Sequence, residues 1–533
     1  MYFKRITVAF LCTMFYTCCV AATSTRGVFF IMAVLETINN VVIGIVSVAF
    51  AFQVIYLFLF FLKPEQYPKA KVKHKFAVLV CAHNEGEVIG ATVRNLMLQK
   101  YPRELYRIFV VADNCTDETA SIARQAGATV YIRQESDPKK QGKSFALKFG
   151  LNRMLEDFPD AESVILFDAD NFPLPDYIDK MNDAFDSGAT LARGYNHATN
   201  LTQNVVAGVS GLWYIRDCRF NCHARSALRI GEMLVGGGMM FSVSVIREDG
   251  GWKAMGYSED AEFTCNQLFK KRKAHYVSEA VVYEDQPSTV GQLFKRNMRM
   301  GRGLLRLFFT HGIKCLALFP VTFKYTFLDM FLTLLFIPIA GLCCFWFPAY
   351  YIILFGQFLE PLDHARFVWE ITNLVIILVC AFLIPFIAQA FLVFFLDRKK
   401  IGTPLRKTLP AIISFPLFMI IYALGITAGF LFRAKWKSID RSKFYDKSFV
   451  EKLESETGVP FDYILGKNPE KKDFAPYKPS FVCDFKPVLN AETKIKTDFA
   501  PFEGSFPLSA YPEATTCVSQ AESEAAASLD DED

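Results

Sequence analysis

The sequence predicts an α/β protein with a mostly parallel sheet, joined to a transmembrane α-helical region. Three observations carry that expectation. Residues 76–170 alternate short, fully apolar runs with periodic polar–apolar stretches, as strands buried on both faces and their crossover helices do. Long apolar stretches flank that region, within 6–62 and 326–432. Of 533 residues, 52% are hydrophobic and 53 are Phe, with mean hydropathy +0.22, above the usual soluble range. A net charge of +4 gives no argument for a nucleic-acid partner.

The first apolar run, 6–22, comes after Lys4 and Arg5 and is at the short limit for a span. Residues 28–62 are apolar except for ETINN at 36–40, and 41–62 alone is long enough to cross a bilayer. Residues 1–62 therefore read as retained transmembrane helices rather than a cleaved leader. The basic run KAKVKHK (69–75) favours a cytoplasmic side for residues 76–310. FAVLVCA (76–82), YRIFVVAD (106–113), ATVYIRQ (128–134) and SVILFDAD (163–170) read as strands. Residues 87–99, 117–126 and 142–158 read as the helices between them. In such a sheet the ligand lies past the carboxyl ends of the strands, which here carry 82–85, 113–117 and 168–170.

Beyond 310 the apolar character returns, with 326–356, 367–395 and 408–432 each long enough to span. The basic stretch LFKRNMRMGRGLLRLFF (293–309) reads as an interfacial helix. Positive segments at both 397–407 and 432–443 conflict with one simple span between them. A bent segment over 408–432, helped by Pro410 and Pro416, resolves this better than a hairpin in 326–356 around Pro338 and Pro348. Residues 444–533 show little periodicity and end in the acidic QAESEAAASLDDED, a composition expected to be disordered. None of the 14 cysteines forms a zinc-spaced set, so free thiols are expected.

ILFDADNFPLP (165–175) places Asp168 and Asp170 two residues apart. In an extended segment such side chains share a face. Both carboxylates can then approach one ligand, or meet a diphosphate through Mg2+ or Mn2+. A strand-ending turn is the rival reading. Asp113, in VVADNCTDET, suits a base or ribose, against capping by Asn114 or Asp117. Lys143, in KKQGKSFAL, opens a helix where phosphate is favoured; a surface lysine is the alternative. Of Glu259 and Asp260, in GYSEDAEFT, one can take a proton from an attacking hydroxyl, or both can cap a helix. GGG at 236–238 permits close approach or positive φ. Arg296, Arg299 and Arg302, spaced by three, fit one helical face for a diphosphate leaving group, or a membrane-surface anchor.

Taken in order, CAHNE, DNCTD, QGK, DAD, GGG, SED and RNMRM resemble the inverting family-2 glycosyltransferases. Within that group they are most similar to the membrane-embedded processive cellulose, chitin and hyaluronan synthases. The resemblance covers 75–310, and the helical region to 443 in outline. It implies a GT-A-like, Rossmann-type sheet in a cytoplasmic domain over 75–310 with an interfacial helix at its end. Transmembrane or interfacial helices and a gating segment would occupy 311–443, and a C-terminal extension 444–533.

The resemblance also implies roles. Ala82 and Glu85 would line the nucleotide site, Asp113 would hold uracil, and Lys143 would lie near the diphosphate. Asp168 would contact the nucleotide and Asp170 the metal, Mg2+ or Mn2+. Asp260, after Glu259, would be the catalytic base. Arg299 fits the arginine of a Gln–x–x–Arg–Trp signature, while Arg296 and Met300 stand where glutamine and tryptophan are usual. Trp252 or Trp213 would then supply the acceptor platform. Trp436, in AKWK (434–437), resembles a gating tryptophan over the nucleotide. The implied reaction is inverting transfer from a UDP-sugar, UDP-glucose favoured, to a growing β-linked polysaccharide such as an exopolysaccharide or capsule. The polymer would cross a bacterial plasma membrane through the same multi-pass chain. Two rivals stand beside it: non-processive transfer of one sugar to a lipid-linked acceptor, and a nucleotide-regulated transporter.

Overall fold

In the computed structural model, which describes residues 25–356, 364–432 and 443–467, the first described element corrects an expectation. Helix α1 (Thr25–Phe58) runs unbroken through ETINN. Asn39 is tolerated because it faces another helix and accepts a hydrogen bond from Trp346 Nε1 at 3.1 Å. The run at 6–22 lies outside the described residues.

The four predicted strands form as expected: β1 (Phe76–Ala82), β2 (Tyr106–Asp113), β3 (Thr129–Arg133) and β4 (Ser163–Asp168). They are parallel in the order β3-β2-β1-β4. Register brings their carboxyl ends level, with Ala82 beside Ala112 and Cys81 beside Asp168. Alternate residues of β1 feed two cores. Phe76, Val78 and Val80 pack under α2 (Gly86–Met97), α3 (Thr119–Gln125) and α5 (Tyr177–Asp186). Ala77 and Leu79 pack under α4 (Lys143–Asp157). Burial on both faces is what made β1, β2 and β4 legible as continuous apolar runs.

The rest of the sheet departs from the mostly parallel prediction. The full order is β3-β2-β1-β4-β7-β6-β8-β5, with β5 (Phe172–Pro173), β6 (Leu191–Ala198), β7 (Met239–Ser242) and β8 (His275–Glu284). β7 is antiparallel to both β4 and β6, and β5 to β8; only β6 and β8 add a parallel pair. The sheet is therefore mixed. The cause is the glycine loop at 236–238. It delivers β7 at the carboxyl end of β4, Met239 beside Leu166, so β7 must run back along it. Gly238, at φ +80°, donates its N–H to Leu166 O at 2.8 Å.

A third core joins this sheet to the apolar helices. It contains α6 (Val205–Arg216) and residues of β6 and β8. Beyond the short helices His223–Ala227 and Val243–Glu248, α7 (Glu259–Phe269) carries two of the predicted site residues in its first turn. Helix α8 (Val290–Leu307) passes through a π-helical turn at 308–312 into the helix Ile313–Thr322. Helix α9 (Tyr325–Gly356) keeps Pro338 and Pro348 inside one helix and forms no hairpin. After His364–Ile377 come α10 (Ile384–Leu396), α11 (Leu405–Ile413) and α12 (Phe415–Leu431). The last two are bent by 49° at their junction, the bend that Pro410 and Pro416 suggested.

Helix α8 is docked on α12, and glycines let the two touch backbone to backbone. A Cβ on Gly301 would stand 2.4 Å from Ile426 O, and one on Gly429 would stand 2.2 Å from Met298 O. Among the described residues four helices are long and apolar enough to cross a membrane, or five if α11 and α12 count as one span. The described part of the C-terminal extension is ordered into α13 (Lys447–Thr457) and α14 (Phe461–Ile464). Phe449 and Phe461 pack against Phe172 of β5. The acidic tail and the DFAPYKP and DFAPFEG phrases lie outside the described residues.

Tyr56 of α1, Arg225 and Asp329 of α9 meet in a buried junction. Tyr56 donates to Asp329 Oδ1 at 2.5 Å, and Arg225 Nε to Oδ2 at 2.9 Å. It ties two membrane-length helices to the sheet.

Candidate active site

The site begins with two asparagines. Asn84 comes after β1 with φ 53° and Asn114 after β2 with φ 49°, a left-handed conformation that Asn tolerates better than most residues. Their side chains lock the neighbouring loops: Asn84 Oδ1 accepts from Thr116 N, and Asn114 Oδ1 from Glu135 N, both at 2.8 Å. Asp117 accepts from Gly86 N and Thr119 N at 3.0 Å, joining the starts of α2 and α3. The capping reading of Asp117 thus holds. Glu85, buried, donates its backbone N–H to Thr119 Oγ1 at 2.9 Å. Ala82 and Glu85 therefore flank the first loop of a cleft edge.

Asp113 is buried at the end of β2. Its Oδ1 accepts from Arg133 Nη1 at 2.5 Å and from Asn114 Nδ2 at 3.0 Å. Arg133 was missed from sequence, since an arginine ending a strand carries no motif. The parallel register, Asp113 beside Arg133, is what reveals it.

Three motifs far apart in sequence converge on Lys143. Its Nζ lies 2.6 Å from Asp168 Oδ1 and 3.3 Å from Glu259 Oε1. Glu259 and Asp260 occupy the first turn of α7, where the helix dipole favours acids. Asp260 Oδ2 accepts the Gly236 N–H at 2.9 Å, and its Oδ1 accepts the Ala261 N–H at 2.8 Å. A Cβ at 236 would stand 2.8 Å from Lys143 Nζ and 3.6 Å from Asp168 Oδ2, so any larger residue there would push the lysine end from its present place.

Burial raises the Asp260 carboxyl to about 6, helped by the charge of Glu259 and opposed by Lys143. Burial works against the Lys143 ammonium, but Asp168, Glu259 and Asp260 outweigh it and hold its pKa well above the usual lysine value. Asp260 is thus poised near neutrality, as a general base requires.

Asp168 and Asp170 do not share the extended segment assumed from their spacing. β4 ends at Asp168 and the chain turns at once, with Asn171 N donating to Asp168 O at 3.1 Å. The turn buries Asp170 and leaves Asp168 partly open. The strand-ending reading is correct for the backbone, yet both acids remain in one electrostatic cluster. Its third member is Glu284, at the end of β8, which no motif marked. Burial pushes Glu284 up to about 8, Asp170 and Asp168 add to this, and Arg296 opposes it. The donor set suits a hard divalent cation, which commonly takes one or two carboxylates and completes its shell with phosphate oxygens and water. Asp168 and Asp170 would hold it.

The arginines of α8 do not share one face. At about 100° per residue a spacing of three drifts by about 60° per step. Arg296 reaches the acid cluster side, donating to Gln286 Oε1 at 3.0 Å and lying 5.6 Å from the Tyr214 ring. Arg302 instead reaches Phe432 O at 3.5 Å. Arg299 lies between them, half-buried. Of the two expected platforms, Trp252 is 2% exposed and stacked on Phe263 in the core, and Trp213 is half-buried, packed on Phe418 and Tyr422 of α12. Trp436 lies outside the described residues.

Comparison with known proteins agrees with this geometry. Residues 74–303 match the family model described as glycosyltransferase like family 2. The chain is 26% identical over 245 residues to the probable glycosyltransferase YdaM of Bacillus subtilis (strain 168), covering 43% of this chain and 55% of that one. It is 27% identical over 239 residues to a beta-monoglucosyldiacylglycerol synthase of Nostoc sp., covering 43% and 48%. The chain thus spans about half the length of the curated relatives it matches. A mannosyltransferase from Pyrobaculum calidifontis, solved with GDP-Man and Mn2+, superposes with a TM-score of 0.45 at 15% identity, covering 72% of this chain and 97% of that one. The segment 74–303 is thus similar to family-2 glycosyltransferases, in a chain whose described residues include several helices long and apolar enough to span a membrane.

Proposed function

We propose that the protein transfers a single sugar from a UDP-sugar, UDP-glucose favoured, to the hydroxyl of a lipid acceptor, with inversion at the anomeric carbon. The observation that carries the chemistry is Asp260, held beside Lys143 and Asp168 with its carboxyl raised to about 6. The acceptor class is supported by the relatives, several of which are beta-monoglucosyldiacylglycerol synthases. Those same relatives overturn the expectation of a processive polysaccharide synthase: they are named for adding one glucose to a lipid. The burial of Trp252 and the packing of Trp213 point the same way, since both platforms suggested for a growing glycan are packed against core side chains.

Asp260 takes the proton of the acceptor hydroxyl as its oxygen attacks the anomeric carbon from the face opposite UDP. The new C–O bond forms while the bond to the diphosphate breaks, converting an α-linked donor into a β-linked product. Lys143 exchanges its carboxylate partners for the diphosphate, and Arg296 adds positive charge behind it. A divalent cation, when bound, supplies further charge to the leaving diphosphate. Asp113, fixed by Arg133, faces the nucleotide end, with Ala82 and Glu85 beside it.

The test uses the purified full chain with UDP-glucose, Mg2+ or Mn2+, and diacylglycerol in mixed micelles. UDP release with a monohexosyl lipid as product is the expected result. A folded protein that turns over no UDP-sugar with any lipid acceptor overturns the proposal.

A further inference from the structure

Away from Lys143 and Asp260, a cavity of about 550 Å3 opens among β6, β8, α13 and the chain segments just past α1 and α10. That volume is within the range of small-molecule sites. None of the proposed catalytic or nucleotide-binding residues lines it.

Its charges are unevenly matched. Glu279 is taken by Lys180 at 2.5 Å. Asp397 accepts the Tyr195 hydroxyl at 2.9 Å and comes no nearer than 3.6 Å to Arg219. Lys400 donates to Ser278 O at 2.8 Å and stands 3.8 Å over the Tyr195 ring. Among the described residues no carboxylate lies within ion-pair distance of Lys400 or Lys452, and the buried Arg219 Nε has no hydrogen-bond partner. Two further acids, Asp176 and Glu456, also line the cavity. They repel each other, and burial favours the neutral form of Glu456. Three cationic side chains thus face the cavity with hydrogen-bonding capacity unspent. The cavity also lies at the ends of two membrane-length helices, with Pro64 just past α1 and Asp397 just past α10. Headgroups of a bilayer collect at that level.

We propose that this cavity binds a phosphate-bearing anion, with the phosphate held between Lys400, Lys452 and Arg219. Charge-assisted hydrogen bonds from lysine and arginine to phosphate oxygens are the recognition chemistry. The phosphate can belong to an anionic lipid headgroup or to a free anion, and two arms separate these sources.

In the first arm, the full chain in detergent is mixed with dioleoylphosphatidylglycerol or dioleoylphosphatidylcholine, and retained lipid is counted by native mass spectrometry. In the second, inorganic phosphate is titrated and the thermal midpoint is monitored. Selective retention of phosphatidylglycerol, weakened about tenfold or more in K400Q/K452Q, supports a headgroup site. A shift with inorganic phosphate, lost in the same variant, supports a free-anion site. Lys400→Arg retains the charge and should retain binding in either case, which separates site loss from misfolding. Equal behaviour of wild type and K400Q/K452Q, or no binding in either arm, overturns the proposal. Neither arm depends on sugar transfer, so the result stands apart from the fate of the proposed reaction.

Discussion

Lys143 sets the protonation of the residues around it. In the proposed reaction Asp260 must be ionised to act as the base, and burial raises its carboxyl to about 6. The rate should therefore rise with pH through about 6, and an acid limb there in kcat/KM checks it. Lys143 lowers that value, so Lys143→Met should move the limb to higher pH while reducing the maximal rate. Asp260→Asn should cost about 10²–10⁴ in kcat with an unchanged thermal midpoint. Glu284 gives a separate prediction of stability. Its folded value of about 8 exceeds its ordinary 4.5, so the folded state binds the extra proton. Stability from this group is full below about pH 4.5 and is lost as pH rises through about 8. Glu284→Gln should flatten that decline, as read by thermal midpoints between pH 5 and 9 in EDTA, at roughly the level set by one titrating group. Of these residues Asp260, Lys143 and Asp168 were legible because short motifs mark them. Glu284 and Arg133 were not, because only strand pairing brings them to the site.

Helix α8 shows what a sequence pattern conveys about an element and what it omits. Its basic amphipathic repeat was plain, and it suggested a surface. What it did not show is that α8 lies along α12, with Gly425 and Gly429 receiving Asn297 and the Met298 carbonyl. Small residues at such spacing permit close helix contact, but neither segment alone says which partner it meets. Gly429→Leu should force the helices apart and destabilise the protein by about 1–3 kcal/mol or more, measured by thermal unfolding in detergent. The sheet divides in the same way. β1, β2 and β4 were legible because each is a two-sided apolar run joined by a crossover helix, and the edge strand β3, with only Tyr131 buried, because it continues that strand–helix rhythm. β7 has only four residues and lies between long-range partners, so neither its existence nor its antiparallel direction had a local signal.

At the scale of the whole molecule, the Tyr56–Arg225–Asp329 junction binds the membrane-length helices to the sheet. Arg225 and Asp329 are 5% and 1% exposed at their side chains. Arg225→Met leaves the buried Asp329 without its cation and should cost about 3–5 kcal/mol, whereas Asp329→Leu should cost less, since Arg225 keeps the buried Glu232 at 3.7 Å. The double variant should cost less than the sum, a coupling that a double-mutant cycle in detergent would read. The pair also has an order in time. Arg225 precedes Asp329 by 104 residues, so during synthesis the cation leaves the ribosome first. A nascent helix carrying an unpartnered aspartate enters lipid reluctantly. Here, the arginine that will neutralise it already exists, on the segment that joins the sheet. Swapping the two charges, with Glu232→Gln so that an aspartate at 225 meets no buried acid, would reverse that sequence of events. Any difference between the two versions in yield, at equal final stability, would therefore belong to biogenesis alone.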